Sequence, residues 1–415
     1  MFPLLIFKRT NTNVDANFKR DRLIWLLTSV FFLLLFGRNA FKKPVLAAAL
    51  IIYLPFIFAS FRQSLDLLAK SYSLVALWVL FAASYFWSVV PKVSLDNILT
   101  QSAFMILALF ITLNHKVDGF AKSLRFAFIL ILGVVVLYCL AFPGSSFSAA
   151  GMVAFYPHKN GLGAMMALGA LVLFFTPDRT KWHIVLGFLA IGFLIASQSK
   201  TSIFLVAICS MLIPIANWWV RNFYMESQQL SVQKILRFIL FVLIIVGLIS
   251  IVVFRDALLD MLWDNMTKTL FTGRGALWLT VIQQMRANSL LGIGPGSFWQ
   301  AEGASEIAQT MLYQRDVHWV QRMVSADGSY IDIFAALGSL GLSLFLLVVV
   351  DLYRRLFLYW NQSDSRLIFV LVTFVLLHAV TESTMLYSTN ILWLLLLLCY
   401  LRVSLVSIVS RKNNL

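Results

Sequence analysis

The longest polar interval of the sequence, residues 255–329, holds several side chains that could do chemistry. Arg274 stands between Gly273 and Gly275 within this interval. Because glycine has no side chain, the backbone on both sides of this arginine can approach a bound ligand closely. A guanidinium held in such a place is suited to binding an anionic group such as a phosphate. We therefore interpret the interval as the place where the chemistry occurs.

A helical pattern further along the same interval collects a second set of cations. Arg315, His318 and Arg322 follow one another at i, i+3 and i+7, which puts them on one helix face. Arginines around a histidine predict an anion-recognising face with a group that titrates near neutral pH. The alternative is a charged amphipathic face that contacts only water or lipid headgroups. The sequence leaves both interpretations open.

Further ionisable residues lie at the ends of apolar segments, namely His158, Lys159, Lys200 and Glu382. Ionisable groups at the edge of a membrane are costly, and they often mark a functional site. A lysine can also extend its long side chain to the interface without any further role. Both interpretations stay open for Lys159 and Lys200.

The elements that must position these groups are membrane helices. Of 415 residues, 60% are hydrophobic and only 12% are charged, which excludes a soluble domain. Helices are expected because backbone groups in lipid must be satisfied within each segment, and the alternating segments of a β-barrel are missing from the sequence. The formal charge of +15 is interpreted as loop charge rather than as a nucleic-acid-binding surface.

The apolar segments predict about twelve spans in one all-α transmembrane domain that covers residues 1–415. The spans are expected at 23–36, 44–60, 72–90, 98–113, 124–142, 161–176, 184–197, 201–220, 238–254, 330–350, 367–380 and 386–408. No small-residue cleavage site follows the first segment, so we expect no cleaved signal peptide. The three cysteines fall inside apolar runs, where packing is expected rather than a disulfide or a metal site.

Lysine and arginine counts assign the two sides of the membrane, because these residues favour cytoplasmic loops. Of the 33 lysines and arginines, 21 lie in the two termini and one set of loops, and 12 lie in the other set of loops. Both termini are thus expected in the cytoplasm and the 255–329 loop outside. ATP and nucleotide sugars are cytoplasmic, so an outward site is expected to act on lipid-linked phosphates. Gly292, Gly294 and Gly296 then predict turns rather than a nucleotide loop, since no strand precedes them.

Several short motifs occur in a fixed order along residues 81–382. They are Phe86-Trp87-Ser88 with Pro91 and Ser94, His158-Lys159-Asn160 with Gly163, Ser197-Gln198-Ser199-Lys200-Thr201, Gly273-Arg274 with Trp278, Gly292-Ile293-Gly294-Pro295-Gly296, Ser329-Tyr330, and Leu337-Gly338-Ser339-Leu340-Gly341-Leu342. Each motif is weak by itself, but the order and the long loop make the set specific. The sequence resembles the bacterial O-antigen ligase and Wzy-type polymerase family, and within it most the exopolysaccharide-production polymerases.

The resemblance implies a fold, a reaction and a location. Members are multi-span transferases of the GT-C type that move a glycan from undecaprenyl diphosphate to an acceptor at the outer face of the bacterial inner membrane. They use no metal and no cofactor. The implied partners are the lipid-linked glycan, membrane lipid and other polysaccharide export proteins, with no role for nucleic acid. The 255–329 segment corresponds to the family's large periplasmic loop with short amphipathic helices.

The resemblance also implies roles for individual residues. Arg274 matches the diphosphate-facing arginine, and Lys200 stands where many members have arginine, so the charge is kept and the bidentate fork is lost. Where the family usually has His-Asn before the span that follows the loop, this chain has Asp327-Gly328. The general base is therefore open between Asp327, His318 and His158. The remaining candidates are Lys159, Arg315 and Arg322 for the diphosphate, and Asn160 and Glu382 for unassigned roles.

Two other functions compete with the transferase. A flippase or transporter of the lipid-linked unit should show internal repeats and ionisable residues near mid-span. Here the unusual residues collect at the outer ends, which favours the transferase. An inactive assembly partner is the other alternative, because the usual base is replaced. Polymerase and ligase break the same bond and differ only in the acceptor, so the sequence does not separate them.

Overall fold

The computed structural model of the chain describes residues 28, 42–114, 119–221, 274–300, 323–386 and 390–413. Within these ranges the chain is almost entirely helical, and its strands form a single hairpin of two residues each. The expected span at 238–254, nearly all of that at 23–36, and Arg315, His318 and Arg322 lie outside the described residues.

The helices of the described ranges are numbered here in chain order. They are α1 (Lys42–Ala59), α2 (Phe61–Lys70), α3 (Tyr72–Ala83), α4 (Pro91–Asn114), α5 (Gly119–Ala141), α6 (Lys159–Phe175), α7 (Lys181–Ser197), α8 (Lys200–Trp219), α9 (Arg274–Gln284), α10 (Ser297–Gln300), α11 (Ser329–Leu358), α12 (Ser365–Thr381) and α13 (Ile391–Asn413), with 3-10 turns at Ser84–Trp87 and Met285–Asn288. The hairpin of β1 (Phe147–Ser148) and β2 (Gly151–Met152) is antiparallel and precedes α6.

Four of the described helices, α4, α5, α8 and α11, are long and apolar enough to cross a membrane. A fifth candidate is the pair formed by α2 and the α3 segment, which are bent by 98° relative to each other. Helices α6, α7, α12 and α13 supply shorter apolar stretches. The predicted all-α membrane class is confirmed, and ten of the twelve expected segments overlap a described helix. The total of twelve spans stays a prediction.

Helix α6 forms the buried centre of the helices around the site. Its residues 162–173 are all buried, and it packs against α5, α7, α8 and α12. Small residues permit this close packing. At Gly187 of α7, for example, a Cβ would lie only 2.5 Å from Cε1 of Phe174. The beginning of α6, which carries the His158-Lys159-Asn160 motif, is therefore firmly positioned.

A break in α11 anchors the glycine-rich turn. Gly338 has a φ of +66° and a ψ of −166°, outside the helical region, and a Cβ there would lie 2.2 Å from the Leu290 carbonyl group. The turn uses the carbonyl groups just before the break: Ile293 N–H donates to Ala335 O (3.1 Å) and Gly294 N–H donates to Ala336 O (2.9 Å). Positive φ values at Gly292, Gly294 and Gly296 confirm the predicted turn geometry.

The opposite end of α11 is held by a buried ionic network. Asp351 accepts hydrogen bonds from Arg355 Nε (2.8 Å), Tyr400 Oη (2.7 Å) and Arg354 Nη2 (3.0 Å). The Arg355 side chain is 7% exposed and also donates to the Lys70 carbonyl at the α2–α3 bend. Breaking a buried ion pair is costly because it leaves a charge without compensation. The network therefore ties α2, α11 and α13 together.

Candidate functional site

Arg274 begins α9 and contacts two carboxylates. Its Nη2 lies 3.2 Å from Oε1 of Glu382, and its Nε lies 3.7 Å from Oδ2 of Asp327. The three side chains are 21%, 26% and 37% exposed, respectively. The shorter contact is a charge-assisted hydrogen bond, whereas the longer one is an ion pair without hydrogen-bond geometry. We call these three residues the ion-pair cluster.

Glu382 is fixed by helices that are distant in sequence. It follows the last residue of α12, and its Oε1 accepts a hydrogen bond from Asn160 Nδ2 at 3.1 Å. Its backbone carbonyl accepts from Ser329 Oγ at 2.8 Å. Burial raises the pKa of the Glu382 carboxyl, the Arg274 charge opposes this rise, and the negative charge of Asp327 adds to it. The carboxyl is thus a positioned counter-ion for Arg274.

Asn160 connects the cluster to the Ser197–Lys200 motif. Ser199 Oγ lies within hydrogen-bond distance of two oxygens, Asn160 Oδ1 at 3.5 Å and Ser202 Oγ at 3.0 Å. A Cβ on Gly163 would lie 2.4 Å from Ser199 Cβ, so the starts of α6 and α8 are in direct contact. Lys200 opens α8 at this same end, and its side chain is exposed.

His158 and Lys159 make local contacts. His158 caps α6, because its Nδ1 accepts a hydrogen bond from Asn160 N–H at 3.2 Å. An N-terminal cap of this kind satisfies one of the backbone donors that a helix leaves unpaired. Lys159 Nζ donates to the Ala150 carbonyl of the hairpin at 3.0 Å. The structure therefore gives both residues a structural contact, and the suggested roles of Lys159 in diphosphate binding and of His158 as a base stay predictions.

The turn that carries Asp327 is held by a half-buried carboxylate. Asp332, in the first turn of α11, accepts hydrogen bonds from Ala326 N–H (2.9 Å), Trp299 Nε1 (3.2 Å) and Ser383 Oγ. Asp327 itself has a φ of +49°, a left-handed conformation that aspartate tolerates better than most residues. The turn thus presents the Asp327 side chain to Arg274 and to solvent.

Asp332 and Ser383 belong to the site but were not among the residues predicted from the sequence. A signal was present, because a carboxylate near the start of an apolar span is costly and calls for an explanation. The pairing of Ser383 with Asp332 was not visible, since 51 residues separate them. Of the predicted site residues, the structure brings together Arg274, Asp327, Glu382 and Asn160. It leaves Lys159 on the hairpin, and the Arg315, His318 and Arg322 face lies outside the described residues.

Four of the described helices begin at or near the ion-pair cluster, namely α9 at Arg274 itself and α6, α8 and α11 beside it. The N-terminus of a helix carries a partial positive charge, which favours a negatively charged ligand. Positive helix ends thus lie near two carboxylates and one guanidinium. Among the described residues, no three His, Cys, Asp or Glu side chains form a group that could hold a metal ion. The arrangement can hold an anion beside a carboxylate that accepts protons.

The comparison with protein families identifies the middle of the chain. Residues 185–346 match the model of the O-antigen ligase family. The chain carries an O-antigen ligase domain. This domain includes Lys200, Arg274, Asp327 and Asp332, whereas Glu382 follows it in sequence. No individual curated protein matches the chain. The family assignment made from the motifs is confirmed, together with a role in polysaccharide assembly at a membrane.

Proposed function

We propose that the chain is a metal-independent glycosyltransferase that moves a glycan from undecaprenyl diphosphate to an acceptor hydroxyl. The observation that carries the proposal is the ion-pair cluster, in which Arg274 is held at the start of α9 between Glu382 and Asp327. The O-antigen ligase domain supports the reaction class. A lipid-linked glycan is the substrate that fits an anion site at the end of membrane helices.

Arg274 would stabilise the leaving group. When the acceptor oxygen attacks the anomeric carbon, the bond from that carbon to the diphosphate breaks and the electron pair leaves with the diphosphate. A guanidinium fixed beside this charge binds the transition state more tightly than the ground state. Guanidinium has five N–H donors, so Arg274 can bind phosphate oxygens while its Nη2 keeps the contact with Glu382.

Asp327 is our preferred general base. Its carboxylate is the most exposed of the ion-pair cluster, and its 3.7 Å contact with Arg274 is the looser of the two. A diphosphate that attracts the guanidinium would weaken this contact and release the carboxylate toward the acceptor hydroxyl. The proton of that hydroxyl would then pass to Asp327. His318 is the alternative base.

The remaining parts of the proposal concern orientation and assembly. We place the protein in the bacterial inner membrane, with residues 255–329 in the periplasm and both termini in the cytoplasm. The termini and the loops on their side hold 21 lysines and arginines, whereas the loops on the side of residues 255–329 hold 12. We also propose a single domain of about twelve spans with a GT-C-type arrangement. Lys200, Arg315 and Arg322 would add cations to the diphosphate site, and other polysaccharide export proteins would act as partners.

The test begins with the lipid-linked intermediate that accumulates when the protein is removed from its host. Single repeat units on the carrier would identify a polymerase, and finished chains on the carrier would identify a ligase. Complementation with Arg274→Ala should fail, whereas Arg286→Ala should restore the polymer, since Arg286 is an exposed arginine that follows α9 and is not in the cluster. Normal polymer from the Arg274→Ala variant would refute the proposal, provided that Western blots show equal membrane levels.

A further inference from the structure

A cavity of about 240 Å³ is lined in part by Asp332, the residue that holds the turn of Asp327. It is bounded by the first turns of α4, the glycine-rich turn, α10, and the first turn of α11. The break at Gly338 and the hydrogen bonds from the turn to Ala335 and Ala336 fix the shape of this wall. Hydrogen-bonded backbone segments therefore fix this part of the cavity wall.

The residues that line the cavity define the class of ligand. Aromatic side chains of Phe81, Phe298 and Trp299 contribute to its walls, and Asp96 and Asp332 contribute carboxylates. Among the described residues that line the cavity there is no lysine, arginine or histidine. A diphosphate in this space would lie beside the carboxylates of Asp96 and Asp332, and like charges repel, so an anion is disfavoured.

A sugar ring fits the same set of groups. Its hydroxyl groups can donate to carboxylates and exchange hydrogen bonds with the amides of Asn97 and Gln300, which also line the cavity. Its C–H face can pack against an aromatic ring such as Trp299. Small-ligand sites typically combine apolar walls with a few polar groups in this way, and their volumes are roughly 300–1,000 Å³. The smaller cavity here is suited to one sugar unit rather than to a chain.

The cavity and the ion-pair cluster share one structural element. Asp332 lines the cavity and accepts the hydrogen bond from Ala326 N–H, which holds the turn that carries Asp327. Arg274 contacts Asp327 from the ion-pair cluster. Asp327 thus stands on the turn that connects a space suited to a neutral sugar with a site suited to an anion.

We propose that the cavity is a saccharide subsite that holds the acceptor sugar. This inference rests on the proposed transferase function and extends it to the second substrate. The acceptor hydroxyl oxygen forms the new bond to the anomeric carbon, the old bond to the diphosphate breaks, and the hydroxyl proton goes to Asp327. Asp96 and Trp299 bind the sugar, whereas Asp332 is a positioning residue for the turn.

The test is protection of a single cysteine from an impermeant maleimide, with the full-length protein in lipid nanodiscs. Val324 is exposed and lines the cavity, and Leu290 is exposed and does not line it, so Val324→Cys and Leu290→Cys form a matched pair. Both are made with Cys139→Ser, because the other two cysteines are buried. The probe is the acceptor oligosaccharide. For a polymerase this is the repeat unit released by mild acid from the accumulated lipid-linked intermediate, and for a ligase it is the glycan of the acceptor.

The oligosaccharide should slow labelling of the Val324→Cys protein and leave that of Leu290→Cys unchanged. At ten times its Kd the rate should fall about tenfold, because the free fraction falls as 1/(1 + [L]/Kd). When Asp96→Ala is added to the Val324→Cys protein, the oligosaccharide concentration that gives half-maximal protection should rise roughly tenfold, because a hydrogen bond to a charged group is lost. Asp96 is exposed, so this change should leave folding intact.

The subsite is refuted if the oligosaccharide protects neither cysteine, protects both equally, or is matched by inorganic diphosphate at Val324→Cys. Transfer activity of the wild-type protein is measured in parallel. Transfer without protection refutes the subsite and keeps the transferase. Protection without transfer supports a saccharide site and refutes the transferase, so the two failures are distinguishable.

Discussion

Replacing Asp327 with asparagine separates a general base from a simple counter-ion. Asparagine tolerates a left-handed backbone, so the φ of +49° should be retained and only the charge is lost. Asp332, Trp278 and Ser383 should still hold the turn through their contacts with Ala326 and Gly328. The substitution therefore tests the carboxylate rather than the fold.

The two roles of Asp327 differ in expected magnitude. The carboxylate is 37% exposed and 3.7 Å from Arg274, and an ion pair of this exposure is worth at most about 1 kcal/mol. Loss of 1 kcal/mol corresponds to about a fivefold change in rate. Loss of a general base, by contrast, lowers the rate by roughly 10²–10⁴. We expect the larger effect, on kcat, for Asp327→Asn.

The assay is glycan transfer by purified protein in nanodiscs, with the accumulated lipid-linked intermediate as substrate. His318→Gln is assayed beside Asp327→Asn, with Arg274→Ala as the inactive control. A loss of about fivefold or less for Asp327→Asn would identify it as a counter-ion and contradict its assignment as the base. A large loss for His318→Gln alone would name His318 instead. Full activity of both variants would refute both assignments.

The other predictions concern Arg274, topology and stability. Arg274→Lys should have little transfer activity, because one ammonium group replaces the two guanidinium nitrogens that make separate contacts. Loss of such a fixed donor lowers kcat by about 10²–10³, and a wild-type kcat would contradict the prediction. Cysteines placed singly at Ser305 and Ser227 should react with an impermeant reagent in intact cells only at Ser305, and reaction at Ser227 alone would invert the topology. Arg355→Ala should lower the free energy of unfolding by about 3–5 kcal/mol, since it leaves a buried carboxylate partly uncompensated. Arg354 is the other arginine that contacts Asp351, and its side chain is 43% exposed, so Arg354→Ala should lower the free energy of unfolding by only about 0–1 kcal/mol. Equal losses for the two variants in thermal unfolding would refute this distinction.

Hydropathy predicted much of this fold, because each span must satisfy its own backbone and therefore leaves a local signal. Ten expected segments overlap described helices, and the glycine turn has the predicted positive φ values. The break in α11 at Gly338 was not predicted. Its cause is non-local, since the chain at Leu290 passes too close for a Cβ.

The candidate site was predictable only in part for the same reason. Arg274 was found because flanking glycines mark it locally, and Asp327 was found through the resemblance. Neither signal shows that Arg274 contacts Glu382, 108 residues away, or that Asn160 donates to the same carboxylate oxygen. Such pairings depend on which helix ends pack together, and hydropathy does not determine this. Asp332 was missed because its partners come from three separate segments.

The replacement of the expected His-Asn by Asp327-Gly328 has a physical explanation in the packing of Trp278. A Cβ on Gly328 would lie 2.9 Å from Trp278 Nε1, which donates a hydrogen bond to Ala326 O at 2.9 Å. A larger residue at position 328 would therefore displace the indole that holds the turn. The φ of Gly328 is −170°, an extended value open to any residue, so the requirement is steric. Position 327, in contrast, needs a left-handed residue, and histidine and aspartate both tolerate this conformation. The turn thus keeps the backbone that a histidine base could use and presents a carboxylate on it. This argues for an altered base rather than for a lost one.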